Sequence, residues 1–270
     1  LIALLLLFAS SYGQLNAQPS WAPTTAPSVW DRYDDTYFLN ADTGWAVTLY
    51  DSGYYSHVVS QYASVIKTTD GGRHWQTMLD SGKQGGLYIA FLDAENGFIG
   101  LLEPYVIGQD SFVMSQTHDG GATWLPATNI PGPKNAGICG MRVINDSTLY
   151  AVGRYSGPPG FYKTTDRGNT WSYKNMSPYA TGLVDAFFFS ADTGFICGIK
   201  CDTFRYFPYG HGTIVMTTDG GNTWQVKAIT SRNTEWCWKM SFPSRNIGYA
   251  SIESGRTTSL DSQFCLKTID

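Results

Sequence analysis

Charge is what this sequence has least of. Asp, Glu, Lys and Arg make up 15% of its 270 residues, against about 25% in soluble domains at large. Glutamate occurs only at Glu95, Glu103, Glu235 and Glu253, so a main helix-surface residue is scarce and strands joined by turns are favoured. No run of Lys and Arg accompanies the net charge of −4, which excludes the electrostatic footprint of nucleic-acid binding. Long apolar runs are missing as well. The longest, LIALLLLFA at 1–9, is under half of the roughly 20 residues that a membrane helix needs. The five cysteines (Cys139, Cys197, Cys201, Cys237, Cys265) form no Cys-x-x-Cys pair and no two histidines lie close together, so zinc spacing is absent. There is no Gly-x-Ser-x-Gly elbow, and no Gly-rich loop leads into a helix. Neither a metal nor a cofactor is expected.

What is present is turn and ring. Gly (29), Tyr (17) and Trp (9) are abundant. Residues 1–13 read as the apolar core and cleavage region of a secretory signal peptide, incomplete at its start, followed by a linker or blade-closing strand at 14–29. Export fits the cysteine content, since an oxidising compartment permits pairing. Cys197 and Cys201 flank a short segment and are candidates for a local disulfide, with burial as small apolar residues the alternative for Cys139, Cys237 and Cys265.

The decisive feature is an internal repeat. Thr-Thr-Asp70-Gly-Gly72-Arg-His-Trp75 recurs as Thr-His-Asp119-Gly-Gly121-Ala-Thr-Trp124, Thr-Thr-Asp166-Arg-Gly168-Asn-Thr-Trp171 and Thr-Thr-Asp219-Gly-Gly221-Asn-Thr-Trp224, and a fifth copy opens at Thr268-Ile-Asp270. The aspartates are 49, 47, 53 and 51 residues apart. A second phrase is interleaved: Phe38 with Gly44-Trp45, Phe91 with Gly97-Phe98, Phe188 with Gly194-Phe195 and Phe242 with Gly248-Tyr249, plus a degenerate copy from Val143 to Leu149-Tyr150. Each unit therefore predicts four short antiparallel strands, with tight turns between the first and second and between the third and fourth. In the latter turn the Asp carboxylate accepts N–H groups two or three residues on, Gly supplies backbone angles closed to other residues, and Trp covers the turn with a large ring. Four antiparallel strands in about 50 residues match one blade of an all-β propeller.

The repeated phrase resembles the Asp box, Ser/Thr-x-Asp-x-Gly-x-Thr-Trp, or bacterial neuraminidase repeat, departing from it at His74. The interleaved phrase most resembles the photosystem II stability and assembly factor family and its exported bacterial relatives. The resemblance covers roughly residues 30 to 270 and implies about four complete blades and part of a fifth, from a propeller of about six to eight; on this reading the chain is truncated at its C-terminus. Sialidases, sortilin-type receptors and xyloglucan-degrading hydrolases share the box, so it implies fold and not activity.

In such a propeller the boxes fall on one face and the variable loops on the other. Asp70, Gly72, Trp75, Asp119, Gly121, Trp124, Asp166, Gly168, Trp171, Asp219, Gly221 and Trp224 are accordingly expected to be structural. Candidate binding residues are those that differ between units: Tyr54, Tyr55, His57, Glu103, Tyr105, Arg205, Tyr206, Tyr209, Glu235 and Trp236, a mixture of rings and charges suited to recognition. No catalytic residue is assigned. The expected function is that of an exported, non-catalytic scaffold, secreted, periplasmic or at the cell surface, binding a protein or glycan on the loop face. The alternative is a glycoside hydrolase, sialidase-like or xyloglucanase-like, with a carboxylate pair drawn from Glu103, Asp185, Asp202 and Glu235. The Arg-Ile-Pro phrase of sialidases is absent.

Overall fold

The computed structural model describes residues 22–29, 32–51, 61–82, 86–102, 112–133, 135–201, 210–254 and 264–268. Among them there is no helix, and nineteen strands form five antiparallel sheets, each a meander in chain order. Sheet 1 holds β1 (Arg32–Phe38), β2 (Gly44–Asp51), β3 (Gln61–Thr68) and β4 (Gln76–Gly82). Sheet 2 holds β5 (Gly86–Phe91), β6 (Gly97–Leu101), β7 (Met114–Thr117) and β8 (Leu125–Pro126). Sheet 3 holds β9 (Gly140–Val143), β10 (Leu149–Gly153), β11 (Gly160–Thr164) and β12 (Ser172–Asn175). Sheet 4 holds β13 (Gly182–Phe188), β14 (Gly194–Lys200), β15 (His211–Thr217) and β16 (Gln225–Ile229). Sheet 5 holds β17 (Glu235–Ser241), β18 (Gly248–Ser254) and β19 (Phe264–Thr268). The first strands of consecutive sheets pack on one another, and all five line one central cavity. The sheets are therefore blades about an axis.

The interleaved phrase has a steric origin. A Cβ on Gly44, Gly97, Gly194 or Gly248 would come within 2.5, 2.5, 2.3 and 2.3 Å of the rings of Phe38, Phe91, Phe188 and Phe242. Each Phe lies over the glycine that opens the next strand, so the pair must be large–small. Sheet 3 solves the same contact with Val143 and Leu149, paired across the strands.

The repeated turn is built alike in four sheets. Thr68, Thr117, Thr164 and Thr217 are each 1% exposed. Their Oγ1 atoms accept the N–H of Gly72, Gly121, Gly168 and Gly221 at 2.8–2.9 Å and donate to the Asp carboxylate two residues on. That carboxylate accepts the N–H four residues on, from His74, Thr123, Thr170 and Thr223. The expected reach of two or three residues is thus corrected, because two consecutive residues at positive φ (Gly120 at 71° and Gly121 at 96°, for example) lengthen the turn. His74 keeps the pattern where Thr is replaced: its Nδ1 lies 2.6 Å from Asp70 Oδ2, as Thr123 Oγ1 lies 2.7 Å from Asp119 Oδ2. In sheets 1 to 4 the first turn is tied to it, with Gly71, Gly120, Arg167 and Gly220 N–H donating to the Asp42, Glu95, Ser147 and Asp192 carbonyls. Both turns therefore share one end of the axis.

Two predictions follow from this geometry. The buried N–H of Gly121 is satisfied by Thr117, while the Asp119 carboxylate is exposed. Thr117→Val should therefore cost about 1–3 kcal/mol and exceed Asp119→Ala in urea titrations; the reverse order would give the carboxylate the leading role. Hydrogen bonds hold the carboxyl of Asp70 (His74 N–H foremost) and those of Asp119 and Asp219 (Thr123 and Thr223 hydroxyls foremost) at about 2. A folded value below the unfolded one gives stability that is complete above the unfolded value near 3.8 and lost as pH falls towards about 2. Melting temperature should fall through that window, and the Asp119→Asn/Asp219→Asn double variant should show a shallower fall.

The repeated turns also join neighbouring sheets. Gly120 carbonyl accepts Trp45 Nε1 (3.0 Å) and Lys67 Nζ (3.2 Å) from sheet 1, and Gly220 carbonyl accepts Lys163 Nζ from sheet 3. Trp171 packs edge-on against Phe98 of sheet 2, and Trp224 against Phe161 of sheet 3. Trp is thus a wedge between sheets as well as a cover for its own turn.

None of the five cysteines is in a disulfide, which corrects the candidate Cys197–Cys201 pairing. Cys197 lies within β14, and four residues of strand span about 13 Å, beyond the roughly 7 Å that a disulfide tolerates. Cys197 is instead buried and its Sγ–H donates to the Cys237 carbonyl (3.3 Å), and burial pushes its thiol well above the ordinary range. Cys265 is the exposed one.

Candidate functional site

The five inner strands place equivalent residues around the axis. Counting back three from Phe38, Phe91, Val143, Phe188 and Phe242 gives Asp35, Tyr88, Gly140, Asp185 and Lys239. Counting back four gives Asp34, Leu87, Cys139, Val184 and Trp238. Pairing slips by one residue at Asp34, Leu87, Val184 and Trp238, one bulge in each of four inner strands. A bulge re-aims a side chain, and here consecutive residues both face the axis.

Two cavities result, with Tyr88 bordering both. The one at the turn end, about 430 Å³, is lined by Asp35, Asp185, Lys239, Arg142 and Tyr37 among others. Asp185 is buried, and both its oxygens are engaged, by Lys239 Nζ at 3.1 Å and Met240 N–H at 2.9 Å. Burial raises the carboxyl of Asp35, against the opposing hydrogen bond from Ile89 N–H. The Arg142 guanidinium lies over the Phe187 ring at 5.0 Å.

The cavity at the loop end, about 370 Å³, is bordered by Arg32, Asp34, Cys139, Tyr155 and Trp238. Arg32 Nε donates to Asp34 Oδ1 at 2.7 Å. Trp238 stacks on Trp236 with ring centres 5.2 Å apart, and Tyr155 leans on Trp236 at 6.1 Å. The rings of Tyr155 and Trp238, backed by buried Trp236, thus stand beside a guanidinium–carboxylate pair.

Of the residues singled out from sequence, Tyr54, Tyr55, His57, Glu103, Tyr105, Asp202, Arg205, Tyr206 and Tyr209 lie outside the described residues. Glu235 and Trp236 are both buried. Glu235 Oε1 accepts Arg232 Nε (2.6 Å) and Ser254 Oγ (3.2 Å), fastening the link between sheets 4 and 5. Trp238, two residues on, is the ring that faces the cavity. Sequence reasoning passed over Arg32, Asp34, Tyr155 and Trp238. For Asp34 and Trp238 the signal was positional, four residues before the landmark Phe, whereas Tyr155 lies in the variable loop between β10 and β11. Among the described residues no group of three or more His, Cys, Asp or Glu side chains is placed to hold a metal ion.

No family model matches the chain, and no curated protein does. Solved structures do. The GH74 xyloglucanase from Xanthomonas campestris is similar over 88% of this chain, with 14% identity and a TM-score of 0.61. A protein of unknown function from Dyadobacter fermentans is similar over 87% of this chain and 75% of its own, with 12% identity and a TM-score of 0.55. The fold is a β-propeller. This chain spans 37% of the xyloglucanase's length, and at such identities the likeness is one of fold alone. YCF48 bound to a D1 peptide is matched over 92% of this chain and 93% of its own, with 16% identity; its TM-score of 0.37 is too low to argue from. Among the described residues, no helix of this propeller is long and apolar enough to cross a membrane.

Proposed function

We propose that this chain is an exported, non-catalytic Asp-box propeller that binds a protein or glycan at the loop end of its axis, as a scaffold of the photosystem assembly-factor type. The observation that carries this reading is a contrast between the two ends. At the turn end the same Thr, Asp and Gly recur in four sheets and are spent on one another. At the loop end the equivalent positions Asp34, Leu87, Cys139, Val184 and Trp238 all differ, and they border a cavity with an aromatic wall. Fold maintenance repeats residues, whereas recognition diversifies them. Flat rings beside a charge pair suit a sugar face or a peptide side chain.

A hydrolase would need two opposed carboxyl groups, one of them free to donate a proton. Of the carboxylates considered for that role, Asp185 is held as an ion pair and Glu235 is clamped by Arg232, so neither is free to donate a proton.

The test is a glycan-array and pull-down screen with a parallel assay of released sugar. Trp238→Ala should weaken the partner found by about 2 kcal/mol or more, roughly thirtyfold, and leave the cooperative melt in place. Tyr206→Ala/Tyr209→Ala tests the loops in the same way. Sugar release abolished by Asp185→Asn in a folded protein would establish the hydrolase instead.

A further inference from the structure

Asp35 and Asp185 hold the same place in sheets 1 and 4, three residues before the landmark Phe, and are clasped alike. Asp35 Oδ2 accepts Ile89 N–H at 3.1 Å, and Asp185 Oδ2 accepts Met240 N–H at 2.9 Å. Ile89 and Met240 are themselves equivalent, each on the inner strand of the following sheet. The likeness ends at the second oxygen. Asp185 Oδ1 lies 3.1 Å from the Lys239 ammonium. The residue that corresponds to Lys239 beside Asp35 is Tyr88, which brings no positive charge. Among the described residues Asp35 has no ion pair: the N–H groups of Ile89 and Thr36 bond to it, and Lys239 acts on it from further away. The seam between sheets 4 and 5 thus shows, with the chain's own lysine, what the seam between sheets 1 and 2 lacks.

The same cavity holds a cation without an anion. Arg142 stands one residue before Val143 and is exposed. Its guanidinium lies over the Phe187 ring at 5.0 Å, and among the described residues it has no hydrogen bond or ion pair. Its charge reaches the hydroxyl of Tyr37, two residues along β1 from Asp35. Asp35 and Arg142 therefore line one cavity of about 430 Å³ and do not pair with each other. A charge drawn out of water without a counter-charge is costly, and a ligand that carries both signs relieves both residues at once.

We propose that the turn-end cavity binds a small zwitterion, an amino acid with a primary ammonium and a carboxylate. The ammonium takes beside Asp35 the place that Lys239 takes beside Asp185. The carboxylate pairs with Arg142, whose forked donors match it. Neither Asp35 nor Arg142 borders the loop-end cavity, so the site stands or falls independently of the function proposed above.

The probes are the unbranched ω-amino acids from glycine to ε-aminocaproate, titrated calorimetrically into the intact chain, with butylammonium and butyrate as single-charge controls. At least one amino acid should bind saturably, about tenfold or more tighter than either control, and Asp35→Asn and Arg142→Leu should each weaken it by about as much. Tyr88→Lys, which supplies the missing ammonium from the chain itself, should abolish binding. Arg142→Leu alters an exposed side chain and decides the matter should the other two variants fail to fold. No saturable binding by any amino acid, equal binding by a single-charge control, or undiminished binding by Arg142→Leu would each overturn the proposal.

Discussion

Gly97→Leu is expected to lower stability by about 3 kcal/mol or more, and Phe91→Val in the same chain to return a large part of the loss. The new Cβ would lie 2.5 Å from Phe91 Cε1, with Cδ1 and Cζ at 2.6 and 2.7 Å. Phe91 cannot swing aside, because it is fully buried and stacked on Trp45 with ring centres 3.5 Å apart. The paired substitution copies what sheet 3 already does with Val143 and Leu149, where Leu149 is fully buried. Restoration will be incomplete, since Val surrenders the stack on Trp45. Gly44→Leu provides a graded control: its partner Phe38 is 45% exposed and has room to move, so a smaller loss is expected. Urea titrations of the two single variants and the double variant give the coupling energy directly. Additive effects at Gly97 and Phe91 would mean that the interleaved phrase records strand propensity and not this contact.

The same pair shows why so much of the fold was legible. A contact made once per sheet between residues six apart prints itself on the sequence four times, and the exception at Val143 and Leu149 changes both partners together. The repeated turn is equally local, since Thr, Asp, Gly and Trp of one copy all lie within eight residues. What the spacing did not convey was the division of labour inside it. The aspartate is the conspicuous letter, yet the buried N–H of Gly121 goes to Thr117. The axial site was not legible for a different reason. Strand alternation would send Asp34 and Asp35 to opposite faces, and only the bulge beside Tyr33 brings both to the axis. A bulge of that kind leaves no mark on composition or spacing. Trp236 and Trp238 share the parity of a regular strand, and the register slip at Trp238 is again what separates a core ring from a cavity ring.

Trp224→Ala is expected to cost about 3–5 kcal/mol, and Trp75→Ala distinctly less, although the two residues occupy the same place in their repeats. Trp224 is 5% exposed. It meets Phe161 of sheet 3 at 5.2 Å and Phe188 of its own sheet at 6.5 Å, both edge-on, and its Nε1 donates to the Gly221 carbonyl at 3.1 Å. Truncation would open a cavity on the seam between two sheets, where neither can collapse without moving the other. Trp75 donates the same bond, to the Gly72 carbonyl at 3.2 Å, and meets Phe38 edge-on at 6.1 Å. It stands in the first sheet, is half-buried, and its ring partner is itself exposed. The difference between the two variants therefore isolates the wedge from the turn cover. Thermal and urea unfolding of both would measure it. Equal losses would confine the tryptophan's role to its own hairpin, and the joining of sheet 3 to sheet 4 would then rest on the other contacts across that seam, among them Tyr150 with Phe188, the Tyr150 hydroxyl donating to the Ala191 carbonyl, and Lys163 donating to the Gly220 carbonyl.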